Sequence, residues 1–463
     1  NPDNTDVYRG ISASLMRARM VDKAVEILKR GKTASGGLFL SLDLANAYTA
    51  LMDYKNAVSE YLNYLSLNPN HFNIVERSIY NFPQSEETTE QVVSVLLEYD
   101  ESPEAQKLLA GYYFSLGRYE EALEYIILTD FHGKELLEFA NSLISEGHWD
   151  LALKAYQTLN QKFPESPFTA SVLTGMAYCY SNMGHFDNAI SIYGAISQKY
   201  RLSTHCETAF YRLGVIYYDD LFQIERAESC FVEVLEKFPR GKYNLPAKFA
   251  LGRCAVGKGD LSAAKTAFYR LLNAGSALDR EYRSSAQLWL GKCMLWKNKP
   301  DSALYIWDIL VRENPLAEAA NDALDEIIML KDIPENPVIA DYAAAEYAMY
   351  RRQYETAVEG FRNVMSQMPE SIISGRAVLN LSDIIIVTAG ADSAADILIE
   401  YDTEHHESPI RDRILLKTAE ILQNEIGDVD RALEYYEKIL IEIPESALAP
   451  LVRSRMNNIR KIS

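Results

Sequence analysis

An alanine recurs at Ala24, Ala57, Ala122, Ala152, Ala189, Ala227, Ala264, Ala303, Ala357, Ala394 and Ala432, and the residue four later is large and apolar each time. Self-similarity at tens of residues narrows the possible folds sharply. Each unit is one supersecondary element that cannot bury its own apolar face, so the units must stack on one another. A stack of this kind presents an extended surface, and that is where function is to be sought.

With the alanine as origin, large residues also stand three positions earlier, at Val21, Tyr54, Tyr119, Trp149, Phe186, Ile224, Leu261 and Tyr354. These offsets share one helical face, where the alanine admits a neighbouring helix and the larger side chains fill the space beside it. About twelve residues before the marker a second small residue appears, at Ala45, Ala110, Ala140, Ala177, Gly214, Gly252, Gly291, Ala345 and Ala419, and defines a first helix. Gly117, Gly147, Gly184 and Gly259 lie between the two helices and supply the left-handed geometry that ends one of them. Twelve residues beyond the marker, Pro69, Pro164, Pro239, Pro315, Pro369 and Pro444 stop the second helix, with Ser166, Ser371 and Ser446 placed to cap the next.

Small residue, large residue, alanine, aromatic and terminal proline, in this order from about Val7 to Pro444, resemble the tetratricopeptide repeat. The resemblance implies an all-α fold: a right-handed superhelical solenoid of about twelve antiparallel helix pairs with a C-terminal capping helix, the first helices lining a concave groove. The spacing departs from the usual length of about 34 residues. Ala152, Ala189, Ala227, Ala264 and Ala303 lie 37, 38, 37 and 39 apart, which lengthens the helices by about one turn. Such long units, with joins such as Lys162-Phe163-Pro164-Glu165-Ser166 and Ile443-Pro444-Glu445-Ser446, are similar to the repeats of bacterial envelope proteins, among them the TolA-binding coordinator of cell division and the lipoprotein of the β-barrel assembly machinery. This implies a periplasmic or envelope location. The chain opens on Asn1 rather than methionine, as if a signal or lipid-bearing leader preceded it; a cytoplasmic location is the alternative.

The uneven intervals predict the architecture. Ala57 and Ala122 are 65 apart, two units, so a degenerate pair is expected over His71–Phe82 and Glu86–Tyr99. Ala303 and Ala357 are 54 apart, and the excess predicts an unpaired helix over Leu316–Lys331, followed by a bend at 331–337 where Pro334 and Pro337 interrupt the stacking. Three arrays follow: 1–135, 136–330 and 338–463. A last helix from Ser446 carries the inward stripe Leu448, Val452, Met456 and Ile459 and reads as a solvating cap that completes this end of the stack.

Composition narrows the function. A net charge of −19 disfavours nucleic acid and anionic lipid, and no apolar run approaches the ~20 residues of a membrane span. Cys179, Cys254 and Cys293 share one slot of three repeats and read as buried small hydrophobes. Gly31-Lys32-Thr33 lacks the earlier glycine of a phosphate loop, and Glu404-His405-His406-Glu407 has no third ligand at helical spacing. No catalytic residue, metal site or cofactor is expected.

One charge feature stands out. Between Lys237 and Lys299 thirteen lysines and arginines face only Asp260, Asp279 and Glu281, giving +10 and leaving −29 for the remainder. It reads either as a solvated face offsetting neighbouring acids or as a docking site for an acidic segment of a protein partner. In tetratricopeptide arrays the residue after the small one points into the groove, so the resemblance places Tyr178, Val215, Arg253 and Lys292 on successive rungs. Tyr211, Phe249, Leu288, Tyr218, Val256 and Leu295 accompany them. The partner-binding residues expected are therefore Tyr178, Tyr211, Tyr218, Phe249, Arg253, Leu288 and Lys292, in a non-enzymatic scaffold or adaptor that binds a protein or peptide. A permanent structural subunit of a larger complex is the alternative, and an enzyme with a groove site is a third.

Overall fold

The computed structural model describes residues 4–35, 38–99, 101–130, 132–273, 280–333 and 337–462. It is all-α among the described residues, with 26 α-helices. The chain divides into two compact units, Asn1–Ala209 and Phe210–Ser463. In the first unit the helices are α1 (Thr5–Arg17), α2 (Val21–Ser35), α3 (Ser41–Ala50), α4 (Tyr54–Leu67), α5 (Phe72–Tyr80), α6 (Glu86–Glu98), α7 (Pro103–Ser115), α8 (Tyr119–Thr129), α9 (Lys134–Ser145), α10 (Trp149–Lys162), α11 (Thr169–Asn182) and α12 (Phe186–Lys199). Helix α13 (Thr204–Val215) crosses the division. The second unit continues with α14 (Ile224–Lys237), α15 (Asn244–Lys258), α16 (Leu261–Leu272), α17 (Arg280–Trp296), α18 (Pro300–Glu313), α19 (Glu318–Asp332), α20 (Val338–Tyr350), α21 (Tyr354–Gln367), α22 (Ile372–Ala389), α23 (Ala391–Glu404), α24 (Arg411–Ile421), α25 (Val429–Glu442) and α26 (Ala449–Ile462).

Twelve consecutive pairs, one unpaired helix (α19) and the cap α26 account for all of them. The degenerate pair is α5 and α6. The bend expected at 331–337 includes residues 334–336, which lie outside the described residues. Helices from either side of it, α17 with α20 and α19 with α22, pack within one unit. The division at 209/210 was not drawn from the sequence.

All eleven marker alanines are fully buried, and of the residues four later only Ile126 is less than fully buried. The small first-helix residue now has a physical reason. A Cβ added at Gly214 would lie 2.5 Å from the Phe231 ring, one at Gly252 2.5 Å from the Phe268 ring, and one at Gly291 inside contact distance of the Trp307 indole. In these three repeats the aromatic four after the marker packs on the backbone of its own first helix, and the two positions are a matched pair. The extra length of the repeat is absorbed partly in the backbone: α13 and α24 each run on into a π-turn, at 216–220 and 422–426. Cys179, Cys254 and Cys293 are fully buried, and burial pushes each thiol up to about 12.

Helix α22 is long and apolar enough to cross a membrane by length and composition, with a mean hydropathy of 1.5 over 18 residues. Here it is a core helix. Ile373, Ala377, Val378, Leu381 and Ile384 are buried, Arg376 pairs with Glu326, and Asp383 pairs with Lys417 at 2.7 Å. In α26, Val452 and Met456 are buried and Leu448 and Ile459 pack beside them, as a cap requires.

Candidate functional site

Tyr178 lies on α11 in the first unit, half-buried and edge-on to Trp149 with ring centroids 5.7 Å apart. The other expected residues belong to the second unit, and most of them converge on Arg253 of α15. Its guanidinium lies 4.6 Å from the Tyr218 ring centroid and 5.7 Å from that of Trp289, and its Nη2 donates to Asp219 Oδ1 at 2.7 Å. The buried Tyr218 hydroxyl in turn donates to the Arg253 carbonyl at 2.9 Å. Arg253 Nε is buried and donates to nothing among the described residues.

Three cavities share Arg253. One of about 320 Å³ is walled by Tyr211, Arg212, Val215, Phe249 and Tyr282, with Tyr211 stacked on Tyr243 at 4.4 Å. A second, of about 470 Å³, lies between α15, α17 and the start of α19, lined by Phe249, Leu288, Trp289 and Leu316. A third, also about 320 Å³, runs from Tyr218 and Phe222 to Tyr350, Arg352 and Val387. The structure therefore brings Tyr211, Tyr218, Phe249, Arg253 and Leu288 together. Two companions depart from the expectation: Val256 and Leu295 are fully buried in the core and face no groove.

Lys292 also departs from it. Expected as a free groove cation, it is buried, and its Nζ donates to Glu326 Oε1 at 2.7 Å and to Glu346 Oε1 at 2.5 Å. Trp296 Nε1 donates to Glu346 Oε2 at 2.8 Å, and Arg376 pairs with Glu326. Burial opposes the charge on Lys292, but Glu326 and Glu346 outweigh it and hold the ammonium well above the ordinary lysine value. Burial likewise disfavours the Glu326 carboxylate, yet Arg376 and Lys292 keep it below the usual carboxylate range. Two cations and two carboxylates balance, which is how buried charge is tolerated. The network joins α17, α19, α20 and α22 and is structural rather than available to a ligand. Sequence alone could not reveal it, because the partners stand 34 and 54 residues away.

The basic stretch is partly neutralised by acids outside it. Lys237 pairs with Glu233 at 2.6 Å, Arg253 with Asp219, Lys258 with Glu228, and Lys292 with Glu326 and Glu346. A further contact closes the third cavity: Arg352, just after α20, donates to the Asp219 and Asp220 carbonyls of the π-turn, and its guanidinium lies 4.7 Å from the Phe222 centroid. Asp219 thus holds Arg253 by its side chain and Arg352 by its backbone. Neither role leaves a mark in the sequence. Among the described residues no group of three or more His, Cys, Asp or Glu is arranged to hold a metal ion.

Segments 136–166, 171–203, 208–240 and 413–446 match the tetratricopeptide repeat family. Comparison with curated proteins gives no match. Among solved structures the chain is similar to a tetratricopeptide repeat protein from Parabacteroides merdae, at 14% identity over 62% of this chain and 99% of that one, with a TM-score of 0.37. It is also similar to the C-terminal part of a TPR repeat-containing protein from Cytophaga hutchinsonii, at 20% identity over 55% and 98% with a TM-score of 0.39. Yeast Tom70 is similar at 11% identity over 92% and 98%, with a TM-score of 0.34.

Proposed function

We propose that this chain, which carries tetratricopeptide repeats, is a non-enzymatic scaffold or adaptor that holds an extended segment of another protein over the Arg253 cavities of its second unit. The observation that carries this reading is the convergence of three adjoining cavities on one half-buried arginine between aromatic walls. Aromatic surface supplies contact area at low entropic cost, and a guanidinium fixes a carboxylate by paired hydrogen bonds. An acidic side chain or terminal carboxylate of the partner meets Arg212 and Arg253 in the cavity beside Tyr211. The long repeat units and their joins support work within a bacterial envelope assembly.

Lys292 has no place in the test, since reversing its charge would break a buried network. Random peptides displayed on phage are selected against the immobilised chain, and the winners are titrated by fluorescence anisotropy against the parent and Arg253→Glu. The variant is expected to lose at least tenfold in affinity while remaining folded by circular dichroism at the assay temperature. Equal binding by the two proteins would remove the cavities from the docking surface.

A further inference from the structure

The largest of the three cavities at Arg253 differs in charge from the other two. Besides Arg253 it is lined by three acids, Glu281, Glu318 and Asp322. Arg253 Nη2 donates to Asp219, which lies outside that lining, so three acids face one partly paired arginine in this cavity. Two of the three acids come from α19, the helix that interrupts the pairing. In the middle of α19 two acids are satisfied: Asp325 pairs with Arg413 at 2.6 Å, and Glu326 with Lys292 and Arg376. Glu318 and Asp322 stand one turn apart on one face, both exposed, with no ion pair among the described residues. Like charges at this spacing repel, and only Glu318, in the first turn, gains from the helix dipole. Asp322 registers its surroundings: partial desolvation by the neighbouring chain chiefly, then Asp325, Glu318 and Glu326, raise its carboxyl above the ordinary aspartate value against the pull of Lys292. Phe249, Leu288 and Trp289 supply apolar wall beside the polar Ser284, Ser285 and Asn314, and Leu316 stands 97% exposed at the lining.

We infer that this cavity accepts a lysine or arginine side chain of the partner, its aliphatic stem lying on Phe249, Leu288 and Leu316 and its cationic head meeting Glu318 and Asp322. Long cationic side chains lie in this way, stem on apolar surface and head against charge. The inference rests on the docking reading above and deepens it. The cavity beside Tyr211 shares Phe249 and Arg253 with this one, so the bound segment is bipolar, with an acidic group toward Arg212 and a basic residue toward α19. The partner is then recognised by the order of its charges rather than by acidity alone.

The test uses four fluorescein-labelled peptides that share a Ser/Gly background and a Glu-Glu pair and differ at one downstream position, which is Lys, Arg, Leu or Glu. Each is titrated against the parent, against Glu318→Gln/Asp322→Asn, and against Arg253→Glu. The Lys and Arg peptides are expected to bind the parent about tenfold more tightly than the Glu peptide, with the gap closing as salt rises. The double variant should erase the gap while keeping the affinity for the Leu peptide and the circular dichroism melt. Binding without a Lys/Arg preference, or a preference that survives the double variant, overturns the cationic pocket and leaves the docking reading standing. Failure of all four peptides to bind, or equal binding by Arg253→Glu, overturns the docking reading itself and the pocket with it.

Discussion

Five residues before ten of the eleven marker alanines the backbone enters the left-handed region, and the residue there differs from repeat to repeat. Gly117, Gly147, Gly184, Gly259 and Gly427 take it with φ between 73° and 88°, but Arg19, Met52, Phe222, Asn298 and Arg352 take it with φ between 51° and 60°. A side chain there costs about 1–2 kcal/mol, against roughly 0.5–1 kcal/mol of extra chain entropy that a glycine loses on folding. Met52 is 73% exposed and has little packing to lose, so Met52→Gly should raise stability by a few tenths to about 1 kcal/mol. Arg352→Gly relieves the same backbone but gives up the hydrogen bonds to Asp219 and Asp220, and should lower stability by roughly 1–2 kcal/mol. Urea titrations of the two variants moving in the same direction would refute the distinction. The glycines at these turns were legible because only they tolerate the geometry without cost. Arg352 was not, because its cost is offset by contacts with residues over a hundred positions away in sequence.

At the scale of the helix, α19 ties several elements of the second unit together. Its existence could be read from a surplus of residues between two alanines, but its attachments could not, since Glu326 takes partners from α17 and α22 while Asp325 takes one from α24. The same limit explains the misplacement of Lys292: a rung position defined along one helix is silent about which neighbour carries a carboxylate. Removing one member of a buried charge network leaves the others uncompensated, so Lys292→Met should destabilise by about 3–5 kcal/mol, with the lower end favoured because Glu326 retains Arg376. The pH dependence has a defined sign. Glu326 is held below its unfolded value near 4.3; its contribution is present above that pH and is lost as pH falls through the folded value. Lys292 is held above its unfolded value near 10.4; its contribution is present below that pH and is lost only as pH rises through the folded value. The deficit of Glu326→Gln relative to the parent, measured by denaturant midpoints, should therefore be steady between about pH 5 and 9 and shrink on acidification below about pH 4. A deficit that grows toward low pH would contradict this assignment.

At the scale of the whole chain, the repeat period was visible but the place where the chain divides was not. The marker and the large apolar residue four later recur on both sides of residue 209, and division follows from which side chains join which core, information that no single repeat holds. One core runs from Val25 to Cys179 within the first unit, and separate clusters fill the second. Repeat arrays owe their stability to local interfaces, so a lesion is felt where it is made. A Cβ at Gly175 would enter the Tyr156 ring in the first unit, and one at Gly252 the Phe268 ring in the second. Overpacking of this kind costs about 1–3 kcal/mol. In scanning calorimetry of the full chain the van't Hoff enthalpy should fall short of the calorimetric enthalpy, since two cores do not melt as one. Gly175→Ala should shift one component of the endotherm and Gly252→Ala the other, and the double variant should show both shifts without interaction, because the two sites share no partner. A single symmetric transition displaced equally by either substitution would show instead that the whole stack unfolds as one cooperative body.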